Sequence, residues 1–400
     1  MTHQLSGDQR RWQLEARRFA EQEIRPVSLA RDRIADPRET IDWSIIEKGS
    51  RLGFRTAAVP RALGGHGLDF LTQAVVIAEL ARGDSAIAKT FSQCWKWCHL
   101  VVDRGTAEQR QRFLAPFLAD DRYLLGGGIT EPNAGSDNRL PPSDPRAGLR
   151  LGARRDGADW VLNGEKCYIA NANVGKLIFV YARTDPDAPV TDGTSIFAVE
   201  RGTPGLSIGK VFNKSGWRFY QNAELVFTDV RVPAANLLGE VNSGLRARPG
   251  GSNERFSELE YPANALGVCD AATQMATARA RAARRSGRPL SDQQLIQLKL
   301  CDMHMLTEAL RSFVLRLAAG SDADLARPAP HGHFLVNYSS EVIQRVCEAN
   351  LEIHAASGCG ADLAAADKLA RDAFIWTHIA GDSVMRMRSL RGHLDEALPA

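Results

Sequence analysis

Apolar residues in the first part of the chain recur at intervals of three and four, the spacing of amphipathic helices. Trp12, Phe19 and Ile24 follow this spacing after a polar start at Ser6 or Asp8. Another helix start is indicated by Thr106-Ala-Glu-Gln109, which has the form of a capping box. Helices are predicted over residues 8–24, 43–52, 70–81, 86–102 and 106–118.

In the middle of the chain the pattern changes to the two-residue alternation of strands. Asp156-Gly157 and Asn163-Gly164 are both hairpin signals. Short strands are predicted near residues 149–154, 160–162, 176–181, 195–199 and 223–232, the last one stopping at Pro233. Several short strands with turn signals between them indicate an antiparallel barrel or sandwich.

Helical spacing returns in the last third of the chain. Four long helices are predicted, over residues 263–285, 293–319, 334–356 and 367–394. Four long helices with apolar faces are typical of a bundle. The order is therefore helices, then strands, then helices.

Composition excludes several classes of protein. The 400 residues are 44% hydrophobic and 24% charged, which is ordinary for a globular protein. The net charge of +3 gives no case for nucleic-acid binding. No apolar run approaches the ~20 residues of a membrane helix, and the N-terminus lacks the apolar segment of a secretory signal. The seven scattered cysteines, an odd number without metal-site spacing, favour reduced thiols in a cytoplasmic protein.

One stretch carries candidate chemistry, and it reads Gly126-Gly-Gly-Ile-Thr-Glu-Pro-Asn-Ala-Gly-Ser-Asp137. Its glycines permit close backbone approach. Gly135 and Ser136 can offer N–H and O–H groups to a phosphate, as backbone nests do. The stretch is either a loop that holds an anionic or aromatic cofactor or an ordinary surface turn.

At Thr130-Glu-Pro-Asn-Ala-Gly-Ser-Asp137, taken with the order of elements, the chain resembles the acyl-CoA dehydrogenase family. Similar motifs stand at residues 59–67, 105–109, 164–169, 227–240, 287–294 and 368–373. The resemblance implies an α+β multidomain fold, usually assembled as a homotetramer, with a homodimer as the alternative. Its parts would be an N-terminal helical domain (1–123), an antiparallel β-barrel (124–240) and a C-terminal four-helix bundle (241–400).

The resemblance also implies FAD as cofactor, an acyl-CoA thioester as substrate and an acceptor such as an electron-transfer flavoprotein. Thr130 would bond the flavin ring, Ser136 the pyrophosphate, and Tyr168 would lie against the flavin. The implied cofactor-binding residues are Ile129, Thr130, Gly135, Ser136, Tyr168, Ala170, Arg284 and Gln294. The implied substrate-binding residues are Ser136, Arg255 and Trp95, of which Trp95 could equally be plain core.

The chain departs from the family at the catalytic base, because Ala380 occupies the position of the usual glutamate. A carboxylate is expected to take the α-proton of the thioester while a hydride leaves the β-carbon for the flavin. Some members instead carry the base at the start of the helix after the barrel. There Glu254 is the first candidate and Glu258 the second, and Ala380 could still offer its backbone N–H to the thioester oxygen.

Three functions therefore remain open at this stage. The first is an FAD-dependent acyl-CoA dehydrogenase that uses Glu254 or Glu258 as its base. The second is an enzyme of the same fold without that base, such as a desulfinase, an oxidase or a flavin monooxygenase. The third is a non-catalytic protein that binds an acyl-CoA, since Ala380 cannot take a proton.

Overall fold

The computed structural model describes residues 4–135, 138, 144–246, 251–323, 332–355 and 363–379, with residues 386, 387 and 390. Six α-helices form its N-terminal part: α1 (Gly7–Phe19), α2 (Arg25–Asp32), α3 (Trp43–Arg51), α4 (Phe70–Gly83), α5 (Ser85–Arg104) and α6 (Ala107–Ala119). The predicted capping box is confirmed, because Thr106 accepts from the Gln109 amide while the Gln109 side chain returns to the cap backbone. No helix in the described ranges is long and apolar enough to cross a membrane.

A single mostly antiparallel sheet follows. Its strands are β1 (Leu125–Gly128), β2 (Gly152–Asp156), β3 (Asp159–Ala170), β4 (Leu177–Arg183), β5 (Thr194–Glu200), β6 (Leu206–Val211), β7 (Asn222–Pro233) and β8 (Leu237–Leu238). The path through the sheet runs β6-β7-β3-β1-β4-β5-β8, with β2 paired to both β3 and β4. The sheet has a hydrophobic cluster of its own, separate from that of the helices.

One of the two hairpin predictions in this sheet is confirmed and the other is wrong. Gly157, at φ 62°, turns the chain between β2 and β3. The dipeptide Asn163-Gly164 lies inside β3, where the pairing with β7 shifts by one residue. Asn163 is tied across the sheet, because its side chain donates to Asp229 Oδ1 and accepts from the Asp229 amide. Residues that favour a tight turn therefore lie opposite a β-bulge in β7, at Asp229 with its left-handed φ of 50°.

The C-terminal part is again helical and closes on the N-terminal helices. It consists of α7 (Ser252–Ala282), the short strands β9 (Arg284–Arg285) and β10 (Arg288–Pro289), α8 (Gln294–Ala323), α9 (Gly332–Ala355), α10 (Leu363–Phe374) and α11 (Trp376–Ile379). The predicted fold class, with a helical, a β-rich and a second helical part, is confirmed.

Two helix bounds differ from the prediction. The helix predicted from Ala263 begins at Ser252, because Pro262 is accommodated inside α7 instead of starting a new helix. A proline in a helix interior costs one hydrogen bond and bends the axis. The long helix predicted from Asp367 is divided at Ile375 into α10 and α11, and most of its predicted C-terminal half lies outside the described residues.

The helix α7 lies in the middle of the helical core, packed between α4, α5, α8 and α9. Its Gly267 faces α4 so closely that an added Cβ would lie 2.1 Å from the Ala78 carbonyl oxygen. Only glycine allows this approach, so the position of α7 on α4 is set by backbone-to-backbone contact. The N-terminal turns of α7 project from this contact toward α5 and the β domain.

Candidate functional site

A buried ion pair holds the loop that follows β1. The Glu131 carboxylate accepts from the amides of Arg150 (2.6 Å) and Leu151 (2.8 Å) and from Lys166 Nζ (2.7 Å). Lys166 Nζ also donates to the Ile129 carbonyl oxygen at 2.9 Å. Both charged side chains are almost fully removed from water. The Glu131–Lys166 pair therefore joins the loop to β3 and to the start of β2.

Burial lowers the pKa of Lys166 to about 8, although the charge of Glu131 opposes the shift. An unfolded lysine keeps its proton up to about pH 10.4. Between these two values the unfolded state binds more protons, so the free energy of unfolding should rise with pH by up to about 1.4 kcal/mol per unit. Below pH 8 both states carry the proton and this contribution is constant.

We therefore expect the wild type to gain stability relative to Lys166→Met as the pH is raised from 8 to 10. Urea unfolding of both holoproteins at each pH measures the difference, in which the titration of all other groups largely cancels. Parallel stability curves would contradict a lowered pKa of Lys166.

The ion pair brings the predicted flavin residues onto neighbouring strands. The Cys167 amide donates to the Thr130 carbonyl oxygen at 3.0 Å. Ala170 stands opposite Gly127 in the sheet. Between them Tyr168 has a left-handed backbone (φ 55°) and a side chain that is 57% exposed. Thr130, Tyr168 and Ala170, which were predicted from the sequence, thus lie close together on and just after the neighbouring central strands β1 and β3.

The surface around Thr130 and Tyr168 fits a flat aromatic group. The Tyr168 ring is stacked on Phe212, with ring centroids 3.9 Å apart, and Asn222 Nδ2 donates to the Tyr168 carbonyl oxygen at 2.9 Å. The exposed Tyr168 ring is thereby fixed beside the Thr130 loop by the half-buried Phe212 ring. At Gly135 an added Cβ would meet no heavy atom of the described residues within 4 Å. The residues present fit a flavin here, whereas Ser136 lies outside the described residues.

Helix α5 closes the opposite side of β1. Cys94 Sγ accepts from the Leu125 amide at 3.5 Å, and an added Cβ on Gly127 would lie 2.7 Å from the Trp97 ring. Trp95 is fully buried and donates from its indole nitrogen to the Phe54 carbonyl oxygen at 2.6 Å. Its indole nitrogen is thus engaged with the N-terminal helical part, and a contact of Trp95 with substrate stays a prediction.

The first turns of α7 carry the two candidate bases. Glu254 is exposed and lies seven residues before Tyr261, so the two share one face of the helix. Tyr261 stacks at 6.5 Å on Trp217, which belongs to the connection between β6 and β7. The Glu254 face of α7 is therefore the face that meets the β domain.

Glu258 lies one helical turn beyond Glu254, on nearly the same face of α7, and its carboxylate meets the start of α9. Its carboxylate is 3.5 Å from His333 Nδ1, and a Cβ added to Gly332 would lie 1.9 Å from its Oε2 atom. Arg255 is buried and donates to the Ser321 carbonyl oxygen at 3.0 Å. Ala380 lies outside the described residues.

Two further predicted flavin residues lie elsewhere. Arg284 and Gln294 are exposed just beyond the C-terminal end of α7. Glu254 and Ala282 are separated by about 42 Å along the helix, taking 1.5 Å per residue. Within one subunit these two residues and Glu254 therefore belong to opposite ends of α7, and a role of Arg284 or Gln294 at a flavin stays a prediction.

Sequence reasoning missed a second buried pair, between Lys89 of α5 and Glu260 of α7. Their charged atoms are 2.6 Å apart and both side chains are almost completely buried. The signal in the sequence was a lysine inside the apolar pattern of α5, but its partner lies 171 positions later (260 minus 89). Only the packing of α5 on α7 brings the two together.

Comparisons with known proteins agree with this architecture. Three family models match the chain: acyl-CoA dehydrogenase, N-terminal domain (residues 6–121), middle domain (126–230) and C-terminal domain (259–394). The probable acyl-CoA dehydrogenase YngJ of Bacillus subtilis is 31% identical over 365 residues, which are 90% of each chain.

Solved structures show the same likeness. Butyryl-CoA dehydrogenase from Megasphaera elsdenii superposes with a TM-score of 0.87 at 29% identity, over 98% of this chain and 100% of that one. A structure described as the electron transferring flavoprotein of Acidaminococcus fermentans has a chain with a TM-score of 0.87 at 28% identity, over 98% and 100%.

The fold, the loop beside the exposed Tyr168 ring and these likenesses define an FAD-dependent oxidoreductase that acts on a CoA thioester. The chain belongs to the acyl-CoA dehydrogenase family. FAD-dependent acyl-CoA dehydrogenation is therefore its activity, and the comparisons do not favour the desulfinase, oxidase, monooxygenase or non-catalytic alternatives.

Proposed function

We propose that this protein dehydrogenates a short acyl-CoA between its α- and β-carbons, with Glu254 as the base. The observation that carries the proposal is the placement of Glu254 on the face of α7 whose Tyr261 stacks on Trp217 of the β domain. The relative that is a butyryl-CoA dehydrogenase supports a short chain. Glu258 is the second candidate, but its carboxylate is engaged with the start of α9.

In this mechanism the α-C–H and β-C–H bonds of the substrate break and a carbon–carbon double bond forms. Glu254 takes the α-proton, which is only weakly acidic and needs a positioned base. FAD, when bound, supplies the acceptor for the hydride from the β-carbon. The Thr130 loop and Tyr168 would hold the flavin ring, and the Glu131–Lys166 pair would fix the loop before substrate enters.

The length of the acyl group is limited by what lies beyond Glu254 on α7. Two turns deeper, the buried Lys89–Glu260 pair and the rings of Tyr220 and Tyr261 fill the space between α5 and α7. A long alkyl chain would have to displace this cluster.

Anaerobic mixing with acyl-CoAs of increasing length, from butyryl-CoA to palmitoyl-CoA, tests the proposal. Bleaching of the flavin absorbance should be fastest with the shortest thioesters, and the product should be the 2,3-enoyl-CoA. If none of them bleaches the flavin, the proposed reaction is wrong. If palmitoyl-CoA reacts fastest, the proposed chain length is wrong.

The electron acceptor, assembly and location belong to the same proposal. An electron-transfer flavoprotein is the proposed acceptor, because one of the similar structures is described as an electron transferring flavoprotein.

A homodimer or homotetramer is supported by an exposed apolar face of α8, formed by Leu295, Leu298 and Met305. The described cysteines are all free thiols, which supports the cytoplasm. Light scattering of the holoenzyme tests the assembly, and a monomer would exclude it.

A further inference from the structure

Tyr168, the residue proposed to lie against the flavin, stands at a β-bulge in β3. There β3 advances three residues, from 166 to 169, where its partner β7 advances only two, from 225 to 223. Tyr168 lies in this bulge with a left-handed φ of 55°, which is unfavourable for a residue with a bulky side chain. Such a backbone persists only where surrounding contacts hold it. The contacts of Tyr168 therefore determine where its exposed ring points.

Two contacts of Tyr168 come from the two ends of the connection between β6 and β7. At the first end Phe212 stacks on the Tyr168 ring, with centroids 3.9 Å apart. At the second end Asn222 Nδ2 donates to the Tyr168 carbonyl oxygen at 2.9 Å. The Phe212 amide donates to the Asn222 carbonyl oxygen at 2.9 Å, so the two ends are joined. The orientation of Tyr168 thus depends on the geometry of segment 212–222.

Lys214 closes this segment from within. Its Nζ atom donates to the Tyr220 carbonyl oxygen at 2.6 Å and to Asn222 Oδ1. A protonated lysine has donors only, so it holds the oxygen of the Asn222 amide on its own side. The nitrogen of that amide then faces the Tyr168 carbonyl oxygen, which is the orientation that can donate to it. Lys214 therefore sets which end of the Asn222 amide meets Tyr168.

A lysine is an unfavourable residue for this position unless its charge is used. Burial lowers the pKa of Lys214 to about 7, although the charge of Asp372 opposes the shift. The Arg218 guanidinium lowers the pKa further. An apolar side chain would avoid the cost of removing an ammonium group from water. Since the Tyr220 carbonyl oxygen could be satisfied by a neutral donor, the buried cation calls for a further role.

We infer that Lys214 is a positioning residue of the flavin site, which acts through the Asn222 amide on the backbone of Tyr168 and so orients the ring against the flavin. Without the bond from Lys214 the Asn222 amide can turn, and its oxygen would then repel the Tyr168 carbonyl oxygen. Tyr168 would leave its left-handed conformation, and its ring would be displaced. This inference rests on the flavin placement proposed above.

The decisive variant is Asn222→Asp, which keeps the size of the side chain and an oxygen for Lys214 but removes the donor to Tyr168. We expect it to bind FAD roughly tenfold more weakly, about the effect of one hydrogen bond. Serial dilution of the holoenzyme at pH 6, where Lys214 is protonated, measures FAD release from the rise in flavin fluorescence. If Lys214 and Asn222 only close the segment, this variant keeps that bond and binds FAD as wild type, which would overturn the inference.

A double-mutant cycle tests the path through Asn222. Lys214→Met removes the donor and should also weaken FAD binding roughly tenfold. In an Asn222→Ala background the same substitution should change the affinity by less than about twofold, because the path is already interrupted. A further tenfold loss there would show that Lys214 acts by another route, and the inference would fall.

Lys210→Met is the matched control for the loss of a positive charge. Lys210 is exposed on β6, and its Nζ atom lies 5.5 Å from the centre of the Phe212 ring. Because it has no bond to Asn222 in the described structure, this variant should bind FAD as wild type. A loss equal to that of Lys214→Met would mean that any cation near these rings supports the flavin, against the inference.

Tyr168→Ala separates this inference from the flavin placement on which it rests. If that variant keeps the wild-type affinity for FAD and the wild-type visible spectrum, the flavin does not lie against Tyr168, and placement and inference are both wrong. If Tyr168→Ala loses FAD but Asn222→Asp does not, the inference falls alone. Neither readout requires turnover, so a failure of the proposed dehydrogenation would leave this test unaffected.

Discussion

Glu254→Gln is expected to lower kcat by a factor of about 10² to 10⁴, the usual contribution of a positioned general base. Glutamine has the size of glutamate and can accept a hydrogen bond, but it cannot take the α-proton. Because Glu254 is exposed at the start of α7, the variant should keep its fold and its FAD. Steady-state turnover of butyryl-CoA with an artificial electron acceptor, together with the flavin content, provides the measurement.

The matched control is Glu258→Gln, one helical turn further on the same helix. Its carboxylate is engaged with His333 and packs on Gly332, so a modest change in stability and less than about a threefold change in turnover are expected. If the two variants show the reverse order, Glu258 is the base. If both keep wild-type turnover, the base lies outside these turns of α7.

Glu131→Ala is expected to destabilise the protein by about 3–5 kcal/mol, because it leaves the Lys166 ammonium buried without its partner. The carboxylate also accepts two backbone amides of the segment before β2, which would lose their acceptor. Since Ile129 and Thr130 are held through the same cluster, the variant should release FAD during gel filtration. Urea unfolding and the ratio of flavin to protein absorbance measure the two effects.

Glu165→Ala is the control for this prediction, since Glu165 is an exposed acid on the same strand as Lys166. Its stability should lie within about 0.5 kcal/mol of wild type, as for most surface substitutions. Comparable losses of stability and of FAD in the two variants would mean that the overall negative charge near β3, and not the buried Glu131–Lys166 pair, holds the loop in place.

Local features of this fold could be predicted from the sequence, because a few neighbouring residues determine them. The Thr106–Gln109 cap and the turn at Gly157 are complete within four or five positions. Asn163-Gly164 has the same local signal as a hairpin, yet its pairing with β7 places it opposite a bulge in that strand. Pro262 lies inside α7, where packing against four other helices outweighs the loss of one hydrogen bond.

The candidate site was accessible to sequence reasoning only in part. Thr130, Tyr168 and Ala170 belong to motifs that resemble a family, and the central strands β1 and β3 bring them together. The Glu131–Lys166 and Lys89–Glu260 pairs were not foreseen, because Glu131 stood in a stretch that reads as a loop or turn and nothing near Lys89 in the sequence indicates its partner. Such pairs depend on contacts between distant segments, and periodicity carries no information about them.

The close approach of Gly267 to Ala78 fixes α7 at this contact, so a rotation of the helix there moves its N-terminal end. Glu254 lies thirteen residues from Gly267, hence about 20 Å away at 1.5 Å per residue. A rotation of only about 3° there would move the Glu254 carboxylate by roughly 1 Å, a displacement that can cost a reaction about two orders of magnitude. Gly267, although far from the proposed base, thus determines where the Glu254 carboxylate is placed.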